Sequence, residues 1–128
     1  MKPKDNMIRL RQFKVAEKHR QVMQLDTMIA EFERMAGELE AQIQAEEKKA
    51  GITDQNHFAY PTFAKAARTR RDNLEVSIRD LRQQKETAEA DLMEAEAELQ
   101  KAERLEVREA RGPETGVEAA GNRSAMIG

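Results

Sequence analysis

The chain has 128 residues, of which 36% are charged and 4% aromatic, with a net charge of −2 and no cysteine. Such material suits helices that bury one stripe better than it suits a globular core. The near-neutral balance gives no bulk pull toward nucleic acid or an acidic substrate, and without cysteine there are no disulfides and no thiolate metal cluster.

No run of apolar residues exceeds three, so a spanning helix, which needs about 20, is excluded. The opening MKPKDNMIRLRQF carries positive charge with no apolar stretch behind it, which argues against a secretory signal and makes the cytoplasm the expected location.

The first predicted element is a helix over about residues 5 to 49. Sevens from Ile8 give Ile8, Val15, Val22, Ile29, Ala36 and Ile43, all apolar, a heptad seam in unbroken register. Leu25, Phe32 and Leu39 hold the companion positions, but Arg11 and Lys18 stand there in the first two heptads, so the seam is looser at its start. Met7, Met28 and Met35 share a flanking register, where soft side chains widen a core or suit a partner. Lys48 and Lys49 complement the dipole of a last turn, Gly51 offers a left-handed cap, and Ile52 can fold back as its apolar contact.

Residues 50 to 60 then form a predicted bend, and Pro61 fits the first turn of a second helix over about 61 to 111. That helix repeats the pattern with Ala67, Leu74, Leu81, Ala88, Ala95 and Ala102 against Ala64, Ile78, Leu92 and Leu99, interrupted by Arg71 and Lys85. Its later positions lean toward alanine, which buries less area per residue, so modest stability and fraying are expected there. Gly112-Pro113 should stop the helix. The last stretch, 112 to 128, has no usable period and reads as a disordered tail.

Charge blocks decide how the helices pair. Residues 1–25 hold seven Lys/Arg against two acids, and 31–47 hold six Glu against one Arg. Residues 64–82 hold six Lys/Arg against three acids, and 86–110 hold nine acids against three Lys/Arg. A fold near residue 55 sets the first block against the fourth and the second against the third, plus facing minus. A parallel self-dimer would set each block against its own sign. Single exposed pairs are worth little, but four aligned blocks make a specificity term. The expected fold is all-α: a long antiparallel two-helix coiled-coil hairpin over 1–111.

No motif for catalysis appears: no phosphate loop, no nucleophile elbow, and Glu residues that read as a solvated helix face with no burial to separate their pKa values. His19 lies off the seam. His57 lacks a second ligand at metal spacing, and a loop histidine packed on a ring is the better reading. No enzyme, cofactor or metal is expected. RTRR at 68–71 and RLRQFK at 9–14 are basic, but the fold matches both to acidic blocks and no nucleic-acid motif accompanies them.

The bend concentrates the rings. Phe58, Tyr60 and Phe63 are three of only five aromatics, and Arg68, Arg70 and Arg71 follow. A hairpin tip cannot bury all three rings within its own chain. The bland reading is a plug closing the seam; the sharper one is an aromatic anchor beside arginines, a combination enriched where partners dock. Both hold if one ring packs inward and two face out.

The stretch from Met7 to Glu47 resembles the first helix of the FliJ family of flagellar export proteins. The pattern from Gly51 to Leu74, with HFAYPTFAKAA at its centre, looks like the bend of the family's alphaproteobacterial branch. The likeness covers roughly residues 1–110. It implies a component of the flagellar type III export apparatus, built as a coiled coil similar to the stalk of rotary ATPases. It also implies partners: the hexameric export ATPase, the cytoplasmic domain of the membrane export gate, and export chaperones. The chain would then lie at the flagellar base, meeting the membrane only through those partners.

By position, the resemblance assigns Phe63, Ala67, Arg70, Arg71 and Leu74 to the gate contact, with Phe58, Tyr60 and Arg68 beside them at the tip. The charged, weakly cored end, with Met7, Ile8, Arg9, Arg11 and Lys14, would face the ATPase ring. The alternative is a generic coiled-coil scaffold or chaperone-like protein with another client.

Overall fold

The computed structural model describes the backbone of residues 3–120 and the side chains of residues 5–110. Two helices account for nearly all of it, α1 over Pro3–Ala50 and α2 over Thr62–Ala120, joined by the bend at residues 51–61. They form an antiparallel hairpin. The chain divides into two compact units, residues 1–19 with 89–128, and residues 20–88. Among the described residues no helix is long and apolar enough to cross a membrane.

In the unit of residues 20–88 the two heptad series meet as read. Ile29, Ile78 and Leu81 form one buried cluster with Leu25, Phe32 and Ala36 packed against it. Leu39, Ile43 and Ala67 form another, with Leu74 alongside. Ile43, at 0% exposure, is the largest fully enclosed side chain. It sits across from Ala67, where a small residue lets the helices approach closely.

In the unit of residues 1–19 with 89–128 the core is thinner. Ala95 is buried, while Ile8, Val15, Leu92, Leu99 and Ala102 are only half-buried. Leu10 and Phe13 lie mostly in solvent. Alanine on one side of the seam and basic residues on the other explain the deficit, since both reduce the apolar area each turn can remove from water.

The charged residues that interrupt the seam pair across it. Arg11 donates to Glu98 at 2.9 Å, Lys18 lies 3.8 Å from Asp91, Arg71 meets Glu40, and Lys85 reaches Asp26 at 2.6 Å. Arg82 with Glu33 and Arg68 with Glu47 continue the series. On α1 the partners climb in sevens, Arg11 and Lys18 in one unit and Asp26, Glu33, Glu40 and Glu47 in the other. On α2 they descend. That opposed order is the signature of antiparallel pairing, and it matches basic to acidic blocks within each unit as the sequence predicts.

The ends differ in detail from the sequence reading. Gly51 takes a left-handed φ of 71°, and the N–H groups of Gly51 and Ile52 both donate to the Glu47 carbonyl, at 2.8 and 3.3 Å. This is the expected glycine cap. Pro61 stands one residue before α2, as its cap: its carbonyl accepts the first helical bond from the Lys65 N–H at 3.1 Å. α2 passes the expected stop at Gly112-Pro113 and runs to Ala120. A proline removes one helical hydrogen bond but fits a first turn, so Pro113 can open the next helical stretch as readily as it closes the last. Residues 121–128 of the expected tail lie outside the described residues.

Two substitutions at glycine should move stability in opposite directions. A Cβ on Gly37, mid-helix, meets nothing within 4 Å, so Gly37→Ala should gain roughly 0.5–1 kcal/mol in urea unfolding. Gly51→Ala puts a side chain in the left-handed region and should cost about 1–2 kcal/mol. In the core, Ile43→Ala should cost about 2–5 kcal/mol, against a change within roughly 0.5 kcal/mol for the exposed Leu10→Ala. Equal effects at Ile43 and Leu10 would remove the seam assignment.

Candidate functional site

At the bend the three rings part company. Tyr60 turns inward and is 8% exposed, whereas Phe58 is 96% exposed and Phe63 55% exposed. The partition of one ring in and two out agrees with the sequence reading. Tyr60 is held by its polar end as much as by packing. Its hydroxyl donates to Glu47 Oε2 at 2.6 Å, and Arg68 donates to the Tyr60 hydroxyl through Nε and to the same carboxylate oxygen through a terminal nitrogen, both at 2.8 Å. Ring, carboxylate and guanidinium thus close a three-way lock that ties the end of α1 to the bend and to the second turn of α2.

The titration of these groups follows from the lock. Hydrogen bonds from Tyr60 and then Arg68 hold the Glu47 carboxyl below its ordinary range, against the opposing effect of desolvation. Burial, and then donation to Glu47, push the Tyr60 hydroxyl above its ordinary value. Glu47 and then Tyr60 hold the Arg68 guanidinium more firmly protonated.

One helical turn away, Arg71 is held above its ordinary range by Asp72 and then Glu40, and Arg71 and then Gln44 hold the Glu40 carboxyl down.

The structure therefore sorts the candidate tip residues. Tyr60 and Ala67 are interior, which corrects their assignment to a partner-facing surface: the side chains are enclosed by their own chain. Arg68 and Arg71 spend their guanidinium groups on Glu47, Glu40 and Asp72. Phe58, Phe63 and Arg70 remain exposed. Arg70 and the half-buried Leu74 also line an open groove of roughly 470 Å³, floored by Phe32, Met35 and Leu39.

His57 stacks on Phe58, with centroids 4.7 Å apart and planes at 21°, as a loop histidine packed on a ring. Its Nδ1 accepts the Ala59 N–H at 2.9 Å. Among the described residues no group of acidic or histidine side chains could hold a metal.

At the other candidate surface, Arg11 and Lys14 converge on Glu98, at 2.9 and 3.7 Å. Met7 and Arg9 are exposed and Ile8 faces the seam half-buried. Leu10 and Phe13 join Met7 at steps of three residues to make one solvent-facing apolar stripe. Their spacing, offset from the heptad seam, is the signal that identifies them. No protein-family model, no curated protein and no solved structure matches this chain.

The lock makes a pH prediction with a definite sign. The folded carboxyl of Glu47 lies below its ordinary value of 4.5, so the unfolded chain binds the proton first. The stabilisation is complete above about pH 5 and is lost as pH falls through the depressed folded value. Tyr60 acts at the other end: its contribution is complete below 10.0 and is lost as pH rises through the raised folded value. Tyr60→Phe should lower Tm by about 4 °C near neutral pH and flatten both limbs of the stability profile; limbs unchanged from wild type would show that the lock contributes nothing.

Proposed function

We propose that this chain is a non-enzymatic component of the flagellar type III export apparatus. It acts as a stalk-like adaptor between the export ATPase ring and the cytoplasmic domain of the export gate, and as an escort for export chaperones. Its place is the cytoplasmic face of the inner membrane at the flagellar base, held there through its partners.

The observation that carries the reading is the bend. The segment with the most specific likeness to the FliJ family, residues 51–74, is also where a hydrogen-bonded corner displays Phe58, Phe63 and Arg70 on its outside. Exposed aromatic and arginine side chains beside a rigid support fit a docking end. The apolar stripe of Met7, Leu10 and Phe13, together with Arg9, suits the ring-facing end. A hairpin whose carboxylates pair with cations across its seam has a structural use for them, which supports an adaptor over a catalyst.

A coiled-coil scaffold for another client is the competing reading, favoured by the open groove beside Arg70, whose mix of apolar floor and polar rim is not particular to one partner.

Saturating amounts of the chain should raise both the hexamer fraction and the ATP hydrolysis rate of the export ATPase, read by size-exclusion and phosphate release. The variant carrying Phe63→Ala with Arg70→Ala should bind the gate domain about tenfold more weakly with unchanged helicity. No effect on the ATPase, with broad binding to unrelated unfolded proteins, would favour the scaffold.

A further inference from the structure

Phe58 is almost wholly in solvent, yet the backbone of the residues on either side of it is hydrogen-bonded. Asp54 Oδ1 accepts the Asn56 N–H at 2.9 Å, and the Asp54 carbonyl accepts the His57 N–H at 3.1 Å. The His57 carbonyl accepts the Tyr60 N–H at 3.0 Å, and His57 Nδ1 accepts the Ala59 N–H at 2.9 Å. Two residues on, the Tyr60 lock fastens the loop to both helices. The turn that carries the ring is thus held on each side, and the ring itself is backed by the His57 imidazole. A large apolar side chain held outward on an ordered turn loses little freedom on docking, the condition under which one anchor contributes most to binding.

We infer that the bend is a preorganised single-ring anchor: Phe58 inserts into an apolar pocket ringed by carboxylates on a partner protein, and His57 is the residue that positions it. The inference rests on the adaptor reading in taking the bend as a docking end.

The charge of the surroundings specifies the rim. Lys48 and Lys49 in the last turn of α1 and Lys65 in the first turn of α2 are exposed. Asp54 is the sole acid from 51 to 65, and its carboxylate already accepts a hydrogen bond from the loop. Such a cationic collar steers the bend toward an acidic surface.

The composition of the bend selects a protein pocket over a lipid surface. Interfacial binding scales with buried apolar area, and the exposed neighbours Thr53, Asp54, Gln55, Asn56 and His57 are polar. From 53 to 59 Phe58 is the one apolar ring, beside Ala59 and otherwise among polar groups, and so small an apolar area matches a pocket.

His57 acts through a lone pair. Nδ1 can accept the Ala59 N–H only where no proton occupies it. Asparagine places Oδ1 at the same number of bonds from the backbone and forms the equivalent turn; glutamine sets its oxygen one bond too far.

The test places photoreactive benzoylphenylalanine at the exposed position 55 of the full chain in its source cells, leaving Phe58 native. One discrete protein adduct is expected, with the cross-linked peptide apolar and flanked by Asp or Glu. Its yield should fall about tenfold or more with Phe58→Ala and with His57→Gln, and persist with His57→Asn. Unchanged circular dichroism in all three variants excludes misfolding.

No adduct, an adduct with lipid only, a pocket flanked by Lys or Arg, or equal yield with Phe58→Ala would overturn the anchor. Equal yields with His57→Gln and His57→Asn would overturn the positioning role. The identity of the adduct tests the adaptor reading separately. The export ATPase or gate domain sustains it, whereas another protein with the predicted pocket removes it and leaves the anchor standing.

Discussion

Glu47 closes the corner of the hairpin from two sides at once. Its backbone carbonyl accepts the Gly51 and Ile52 N–H groups that end α1, and its carboxylate accepts the Tyr60 hydroxyl and the Arg68 guanidinium that begin the return. A buried carboxylate carries a desolvation cost, which only matched donors offset. Here the donors come from the bend and from α2, so the cost is recovered only when the chain has turned back. The residue therefore rewards one topology: an open α1 would hold the Glu47 carboxylate in water with neither donor, and the antiparallel closure supplies both.

From that corner the order of the seam follows. Once Arg68 is placed by Glu47, heptad spacing brings Arg71 to Glu40 and Arg82 to Glu33, and sets Ile43 against Ala67. Exposed ion pairs contribute little energy singly, but their sign pattern penalises slipped or parallel alternatives. The apolar clusters supply the driving force and the charges choose the register. In the unit of residues 1–19 with 89–128, where alanine thins the core, cross-seam pairs such as Arg11 with Glu98 take a larger share of the specificity.

Much of this was legible in the sequence because heptads and charge blocks are periodic signals that survive without coordinates. Ile29, Ile43 and Leu81 were seam residues by spacing alone, and Gly51 was a cap by its place after Lys48 and Lys49. Non-periodic features were not legible. Glu47 looked like one more solvated glutamate among six, since its value depends on contacts 13 and 21 residues away. Tyr60 and Phe58 have similar ring chemistry, and only the hydroxyl's reach to Glu47 decides which turns inward. Arg11, Lys18, Arg71 and Lys85 read as interruptions because their partners lie on the other helix. The end of α2 was misplaced because Pro113 carries opposite meanings at the close and the start of a helix.

The central claim is that the two helices pair in opposed directions within one molecule, and a distance across the seam tests it most directly. Spin labels on Gln12→Cys and Glu96→Cys, in a chain with no native cysteine, report the separation by pulsed electron resonance. The account predicts a single short distance of about 20 Å, two helix axes plus the label arms, that persists after refolding with excess unlabelled chain. A short distance that vanishes on such dilution would show that the partner helix comes from another molecule. A long one would show that the halves do not pair, and either result would contradict the hairpin.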